Sequence, residues 1–208
     1  MAQLRMQGHR ILVAELAGDS IRAITGSMVA YEGKVTFKNA GMGGGDGFKA
    51  ALKRKVTGES ISLMDVTGSG TVYFAVDAQD ITIVELSNDV LHVEASQLLA
   101  LVGDLRTDVK FSGLRGATSG GQGLFTTTVT GSGTIALLSA GGPIIALEVT
   151  PQYPLVADPD AFVAYRGQLN QSFVTDVSWR SALSGGNGEA FSLRFDGQGV
   201  VYIQPEER

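Results

Sequence analysis

The sequence of 208 residues contains no cysteine, which excludes disulfide bonds and thiolate metal sites. It has only two histidines, His9 and His92, which stand in unrelated contexts, so a zinc site is not expected. No Gly-Xaa-Ser-Xaa-Gly elbow occurs, and a catalytic triad would have to use one of these two histidines. We therefore expect a protein that is not an enzyme, with no catalytic residues, no bound metal and no cofactor.

Long apolar segments are also missing. No apolar run exceeds six residues, whereas a membrane-spanning helix needs about 20. The first ten residues are polar and lack the apolar core of a secretory signal. Proline is scarce (5 residues) while glycine is abundant (28), which is not the composition of a disordered chain. We expect a soluble, cytoplasmic protein with a packed core.

Positive charge is scarce outside the first quarter of the chain. The net charge is −5, but residues 1–55 hold nine basic and four acidic side chains, and the remainder is strongly acidic. This balance disfavours a general electrostatic grip on nucleic acid. One local basic patch remains available for an anionic partner.

What the chain does contain is an internal repeat. One phrase occurs three times, at spacings of 63 and 66 residues: Gly68-Ser69-Gly70-Thr71-Val72-Tyr73-Phe74, Gly131-Ser132-Gly133-Thr134-Ile135-Ala136-Leu137 and Gly197-Gln198-Gly199-Val200-Val201-Tyr202-Ile203. A short apolar strand that ends in glutamate also recurs, with Glu15, Glu85 and Glu148 separated by 70 and 63 residues. A fixed period of this length indicates a triplicated structural module.

Alignment of the repeats divides the chain into three units, at 8–78, 79–141 and 142–205. Each unit is predicted to hold five to seven short strands, with turns after the repeated glutamate and at the Gly-Xaa-Gly phrase. The predicted fold is all-β: three tandem β-sandwich modules of about 65 residues with pseudo-threefold symmetry, at most one or two short helices, and one globular body.

The Gly-Xaa-Gly phrases do not resemble phosphate-binding loops. A Walker loop or a dinucleotide fingerprint needs a helix directly after the glycines. Here a strand pattern stands on both sides. We therefore predict that the glycines supply positive φ angles or a bulge in a hairpin.

The repeated carboxylates Glu15, Glu85 and Glu148 are candidates for a functional triplet. Pseudo-threefold symmetry could gather them around an axis, where they would bind a cation or share a proton. The alternative is that each side chain caps a strand end or pairs locally with a nearby arginine or backbone amide.

A basic segment at 47–56 interrupts the first unit. Its apolar residues follow a helical spacing, and its candidate interaction patch consists of Lys49, Lys53, Arg54 and Lys55. Such a helix could lie on an anionic membrane, or could contact nucleic acid or an acidic protein. It could equally be a surface helix that packs on the sheet.

Five segments together resemble the altered-inheritance-of-mitochondria-24 family over nearly the whole chain: Gly26-Ser27-Met28-Val29-Ala30-Tyr31, Leu52-Lys53-Arg54-Lys55-Val56-Thr57-Gly58-Glu59-Ser60, Gly68-Ser69-Gly70-Thr71-Val72-Tyr73-Phe74, Asp158-Pro159-Asp160-Ala161-Phe162-Val163-Ala164-Tyr165 and Gly199-Val200-Val201-Tyr202-Ile203-Gln204-Pro205. The resemblance implies a triplicated fold related to the tryptophan RNA-binding attenuation protein, whose modules assemble in rings. It also implies a homo-oligomer without established enzymatic activity or cofactor.

These features favour a non-enzymatic, oligomeric scaffold or binding protein, with possible contact to a membrane surface or a protein partner through residues 47–56. The alternative function is a nucleic-acid-binding regulator, by analogy with the related fold.

Overall fold

The computed structural model describes residues 2–39, 62–112, 124–175 and 191–206. Within these ranges the regular structure is almost entirely strand. The elements are β1 (Gln3–Gln7), β2 (Ile11–Ile24), β3 (Met28–Asn39), β4 (Leu63–Phe74), β5 (Asp80–Glu94), a 3₁₀ turn (Ala95–Gln97), β6 (Leu98–Ser112), β7 (Leu124–Ser139), β8 (Ile145–Val149), β9 (Leu155–Ala157), β10 (Phe162–Thr175) and β11 (Phe191–Ile203). The predicted all-β class is confirmed.

The strands form one hydrogen-bonded network in the order β3-β4-β2-β6-β7-β5-β10-β11-β8, with β1 on β2 and β9 on β11. Every strand pair in the network is antiparallel. The long hairpins β3–β4, β6–β7 and β10–β11 make up most of it. The predicted unit boundaries fall in the connections at 75–79 and 140–144.

The strands are longer and fewer than predicted, because two of the predicted turns are β-bulges. The segments Ala17–Ser20 and Ser87–Asp89 lie inside β2 and β5, where the pairing register shifts and then continues. Gly18 (φ +86°) and Asn88 (φ +50°) lie at these shifts. A bulge and a turn require the same residues with positive φ, so the sequence pattern does not separate them.

The third predicted turn is real. The chain leaves the sheet between β8 and β9, and Thr150 and Tyr153 form an isolated bridge there. Pro151 lies between the two bridged residues, and Pro154 directly follows them. Neither proline can donate to a β-ladder, which explains why one strand in the first two units becomes two here.

The prediction that the hairpins turn at Gly-Xaa-Gly is wrong, although the predicted positive φ angles are present at five of the six phrase glycines, all but Gly199. The three phrases lie inside β4, β7 and β11. Each phrase faces a glycine of the neighbouring strand: Gly70 pairs with Gly33, Gly133 with Gly103, and Gly199 with Gly167.

Two aromatic rings show how sharply the chain bends at these glycine pairs. Tyr31 and Phe37 are six positions apart in β3, yet their ring centroids are 5.2 Å apart. A straight strand would separate their Cα atoms by about 20 Å, which two facing side chains do not bridge. The strand therefore bends back between them, where Gly33 adopts φ +95°.

Steric contact explains why only glycine occupies these positions. A Cβ atom built on Gly68 would lie 2.1 Å from the carbonyl oxygen of Lys34, and one on Gly131 would lie 2.1 Å from that of Asp104. Both glycines have φ values, +135° and +129°, that L side chains rarely adopt. The term glycine crease denotes the two glycines of each phrase together with the glycine that faces them in the neighbouring strand. Its members are Gly33, Gly68 and Gly70; Gly103, Gly131 and Gly133; and Gly167, Gly197 and Gly199.

The core lies in three clusters along the array of units. The first and second clusters hold residues from two neighbouring units, whereas the third holds residues of the last unit alone. Its fully buried members are Val149, Phe162, Leu193, Phe195 and Val201.

We predict that Gly131→Ala lowers the free energy of unfolding by at least about 3 kcal/mol, because its Cβ has no room beside the Asp104 carbonyl. Gly18→Ala is the matched control, since Gly18 also has positive φ but has open space around it. This control isolates the backbone strain, about 1–2 kcal/mol. Urea denaturation followed by circular dichroism measures both values, and equal losses would contradict the steric account.

Candidate functional site

The repeated glutamates occupy matching positions on three strands. Glu15 pairs in register with Thr71, Glu85 with Thr134, and Glu148 with Val200. All three side chains are exposed, and the residue after each is buried: Leu16, Leu86 and Val149. This follows from the alternation of side chains along a strand, which turns the glutamates outward.

Two of these glutamates have local partners. The Arg5 Nε atom donates to a Glu15 carboxylate oxygen at 2.9 Å, and the Thr134 hydroxyl donates to Glu85 at 3.0 Å. In the ranges that the structure describes, no group of three or more His, Asp or Glu side chains is placed to hold a metal ion. Glu15 therefore pairs with an arginine, as one of the alternatives drawn from the sequence has it, whereas the partner of Glu85 is a threonine hydroxyl.

The candidate basic patch cannot be placed. Lys49, Lys53, Arg54 and Lys55 lie outside the described residues, as does the whole segment 47–56.

Two short strand pairs join the units to one another. Arg22 and Ala23 of β2 pair with Leu101 and Ala100 of β6. In the next junction three residues of β5 pair with three of β10: Leu91 with Arg166, His92 with Tyr165, and Val93 with Ala164. We call these pairs the unit junctions.

Side chains at matching positions support both junctions. An Arg22 guanidinium nitrogen donates to the Leu105 carbonyl across the first junction. His92 stacks on Tyr165 across the second, with ring centroids 4.5 Å apart and planes at 19°. Burial raises the pKa of the Tyr165 phenol. His92, one of the two histidines of the chain, is therefore packed at a junction.

Each junction also inserts a side chain into the core of the preceding unit. Leu99 lies in the first cluster and Val163 in the second, and both are fully buried. Both residues are the extra residue of a β-bulge at the start of a hairpin strand. Such a bulge re-aims its side chain, here toward the neighbouring unit.

The array has two open ends. In the described part of the chain, the outer edge of β3 pairs with no strand, and β9 pairs only with β11. The large hydrophobic side chains that are exposed within the described ranges all lie in β3 or in the third unit: Val29 (57%), Tyr31 (51%), Ile145 (47%), Tyr153 (79%) and Val156 (41%).

Sequence reasoning missed these ends, although a signal was present. The segments that begin at Met28, Leu98 and Phe162 are equivalent, and all three place apolar residues at the junction positions. In the described part of the chain, only the first of them is not covered by another unit. In an array of stacked repeats, the outer residues of a terminal repeat are exposed where the equivalent residues of an inner repeat are buried against a neighbour.

A shallow depression of about 290 Å³ lies beside the β2 bulge. Its lining includes Gly18, Asp19, Ser20, Thr67 and Gly103.

The described residues contain no helix that is long and apolar enough to cross a membrane.

Comparison with known proteins agrees with the resemblance seen in the sequence. A solved structure of a Streptococcus pyogenes protein superposes with a TM-score of 0.74 at 23% identity, covering 100% of this chain and 94% of that one. This similarity shows the shared fold. No curated protein matches the chain. The family model described as Mitochondrial biogenesis AIM24 matches residues 3–206. Because this match covers nearly the whole chain, the protein belongs to the AIM24 family.

Proposed function

We propose that the protein is a non-enzymatic scaffold that acts as a homo-oligomer. The observation that carries this proposal is the concentration of exposed apolar side chains at the two open ends of the array, on β3 and in the third unit. Exposed strand edges are normally blunted by charge, by proline or by cover, because they pair readily with other chains. Val29 and Tyr31 instead present apolar surface at such an edge.

The proposal includes three equivalent modules related by a pseudo-threefold repeat. It is supported by the matching registers of the glycine pairs and of the glutamates. A module that pairs with its neighbour at both edges is suited to assembly, because the same contacts that join units inside the chain can join chains.

The absence of catalysis is part of the same proposal. Its support is that three of the residues singled out for chemistry have local partners. Glu15 is paired with Arg5, Glu85 accepts a hydrogen bond from Thr134, and His92 is stacked on Tyr165.

We predict that the purified chain has a mass in solution that is a multiple of the 21.7 kDa of one copy. Apolar surface at both ends would otherwise remain in contact with water, which is unfavourable. Light scattering coupled to size exclusion, over a dilution series from high to low micromolar, measures this mass. A 21.7 kDa species at every concentration would contradict the proposal.

Contact with an anionic membrane through residues 47–56 is a further part of the proposal, and its support is the basic sequence alone. We predict binding to phosphatidylserine vesicles that falls at least about a hundredfold when Lys53, Arg54 and Lys55 are all changed to Glu, since each basic residue contributes about 1 kcal/mol and each Glu adds repulsion. The matched control changes Lys34, Lys38 and Arg106, which are exposed on β3 and β6, to Glu.

If the two triple variants lose vesicle affinity equally, the loss follows from the net charge of the protein, and a local binding patch at residues 47–56 is contradicted. Binding to polyuridine RNA at low salt, with log affinity falling linearly with log salt and lost in the first variant, would favour the nucleic-acid alternative instead.

A further inference from the structure

The two unit junctions obey one positional rule. Counted from the glycine pairs, Val29, Leu99 and Val163 are equivalent, as are Tyr31, Leu101 and Tyr165. On the opposite side of a junction, Arg22, His92 and Val156 are equivalent, because they pair with Asp65, Thr128 and Arg194 at matching positions of β4, β7 and β11.

This rule specifies a third pairing that the described part of one chain does not make. Arg22 lies opposite Leu101, and His92 lies opposite Tyr165. The remaining equivalent residues are Val156 and Tyr31. They lie at the two open ends, and each is more than two-fifths exposed.

The residues next to them fit the same rule. Position 30 is alanine, as are the equivalent junction residues Ala100 and Ala164. Ala157 is the equivalent of Ala23 and Val93, which face those alanines. The length also fits: β9 has three residues, and the second junction uses three residues of β5.

The cores of the first two units contain buried side chains from the unit that follows, and the core of the third unit contains none from another unit. Leu99 and Ala100 enter the first cluster, and Val163 and Ala164 enter the second. The third cluster holds only residues of its own unit. Val29 is the matching bulge residue, since the β3 register shifts between Met28 and Ala30, and it is 57% exposed.

From this rule we propose that copies of the chain associate head to tail, with β3 of one copy pairing antiparallel with β9 of the next. Tyr31 faces Val156, Ala30 faces Ala157, and Val29 packs on the third core cluster of the neighbouring copy. The inference rests on the proposed homo-oligomer and adds its surfaces, register and polarity. The interface is heterologous, because two different faces of the chain meet.

The polarity of this interface gives the proposal its test. Tyr31→Asp places a charge in the β3 contact surface and leaves the β9 contact surface intact. Val156→Asp places a charge in the β9 surface and leaves the β3 surface intact. We expect each variant alone to have the mass of one copy, 21.7 kDa. An equimolar mixture should form a dimer and nothing larger, because each copy then offers one intact face. Light scattering and native mass spectrometry measure these masses.

Two controls separate this result from general effects. Ile145→Asp changes an exposed apolar residue of the third unit that lies outside β9, and should leave the mass of the wild-type assembly unchanged. Circular dichroism spectra of all three variants should match that of the wild type, because the substituted side chains are exposed within one copy and the strands do not depend on them.

The remaining outcomes are distinguishable. A wild-type protein that is monomeric overturns both this inference and the proposed oligomer. A wild-type oligomer that persists in both variants, or that is lost equally in Ile145→Asp, overturns the head-to-tail interface alone. Failure of the two variants to pair when mixed overturns its polarity.

Discussion

The glycine crease is the constraint on which the rest of the structure depends. At Gly68 and Gly131, a Cβ atom would lie 2.1 Å from a facing carbonyl oxygen, far inside van der Waals contact. Only glycine allows the long hairpin strands to bend there and still continue their hydrogen bonding. The bend in β3 brings Tyr31 back beside Phe37. It therefore sets the position of the very segment that forms one open end of the array.

The same geometry explains why the units join at short strand pairs. The three hairpins each begin with a bulge. In the second and third hairpins the extra residue, Leu99 or Val163, lies in the core of the preceding unit. Burial of such side chains is the main favourable contribution to contact between units, with the strand hydrogen bonds fixing the register. Our proposal follows from this arrangement: each unit has a neighbour on each side in the assembly, and the protein acts through that assembly and not through a catalytic centre.

Much of the fold could be predicted from the sequence, because repeated phrases fix equivalent positions regardless of their conformation. The all-β class and the equivalence of the glutamates come directly from this pattern. The nature of the glycine phrases could not be predicted, since a turn, a bulge and a bend require the same positive φ at residues such as Gly18 and Gly131. The candidate site was missed because the exposure of Val29 and Val156 depends on which strands lie beside β3 and β9 and not on the residues themselves. The predicted patch at Lys49, Lys53, Arg54 and Lys55 lies outside the described residues and stays a prediction.

The chain has no native cysteine, which makes disulfide trapping the most direct measurement of the central claim that one copy continues the array of the next. Residues directly opposite in an antiparallel pair have Cα atoms about 4.5–5.5 Å apart, within the range of a disulfide. A mixture of Tyr31→Cys and Val156→Cys chains should give a covalent heterodimer under mild oxidation. A mixture of Thr36→Cys and Val156→Cys chains, with Thr36 farther along β3, should not. Equal cross-linking in both mixtures, or none in the first, would contradict the account.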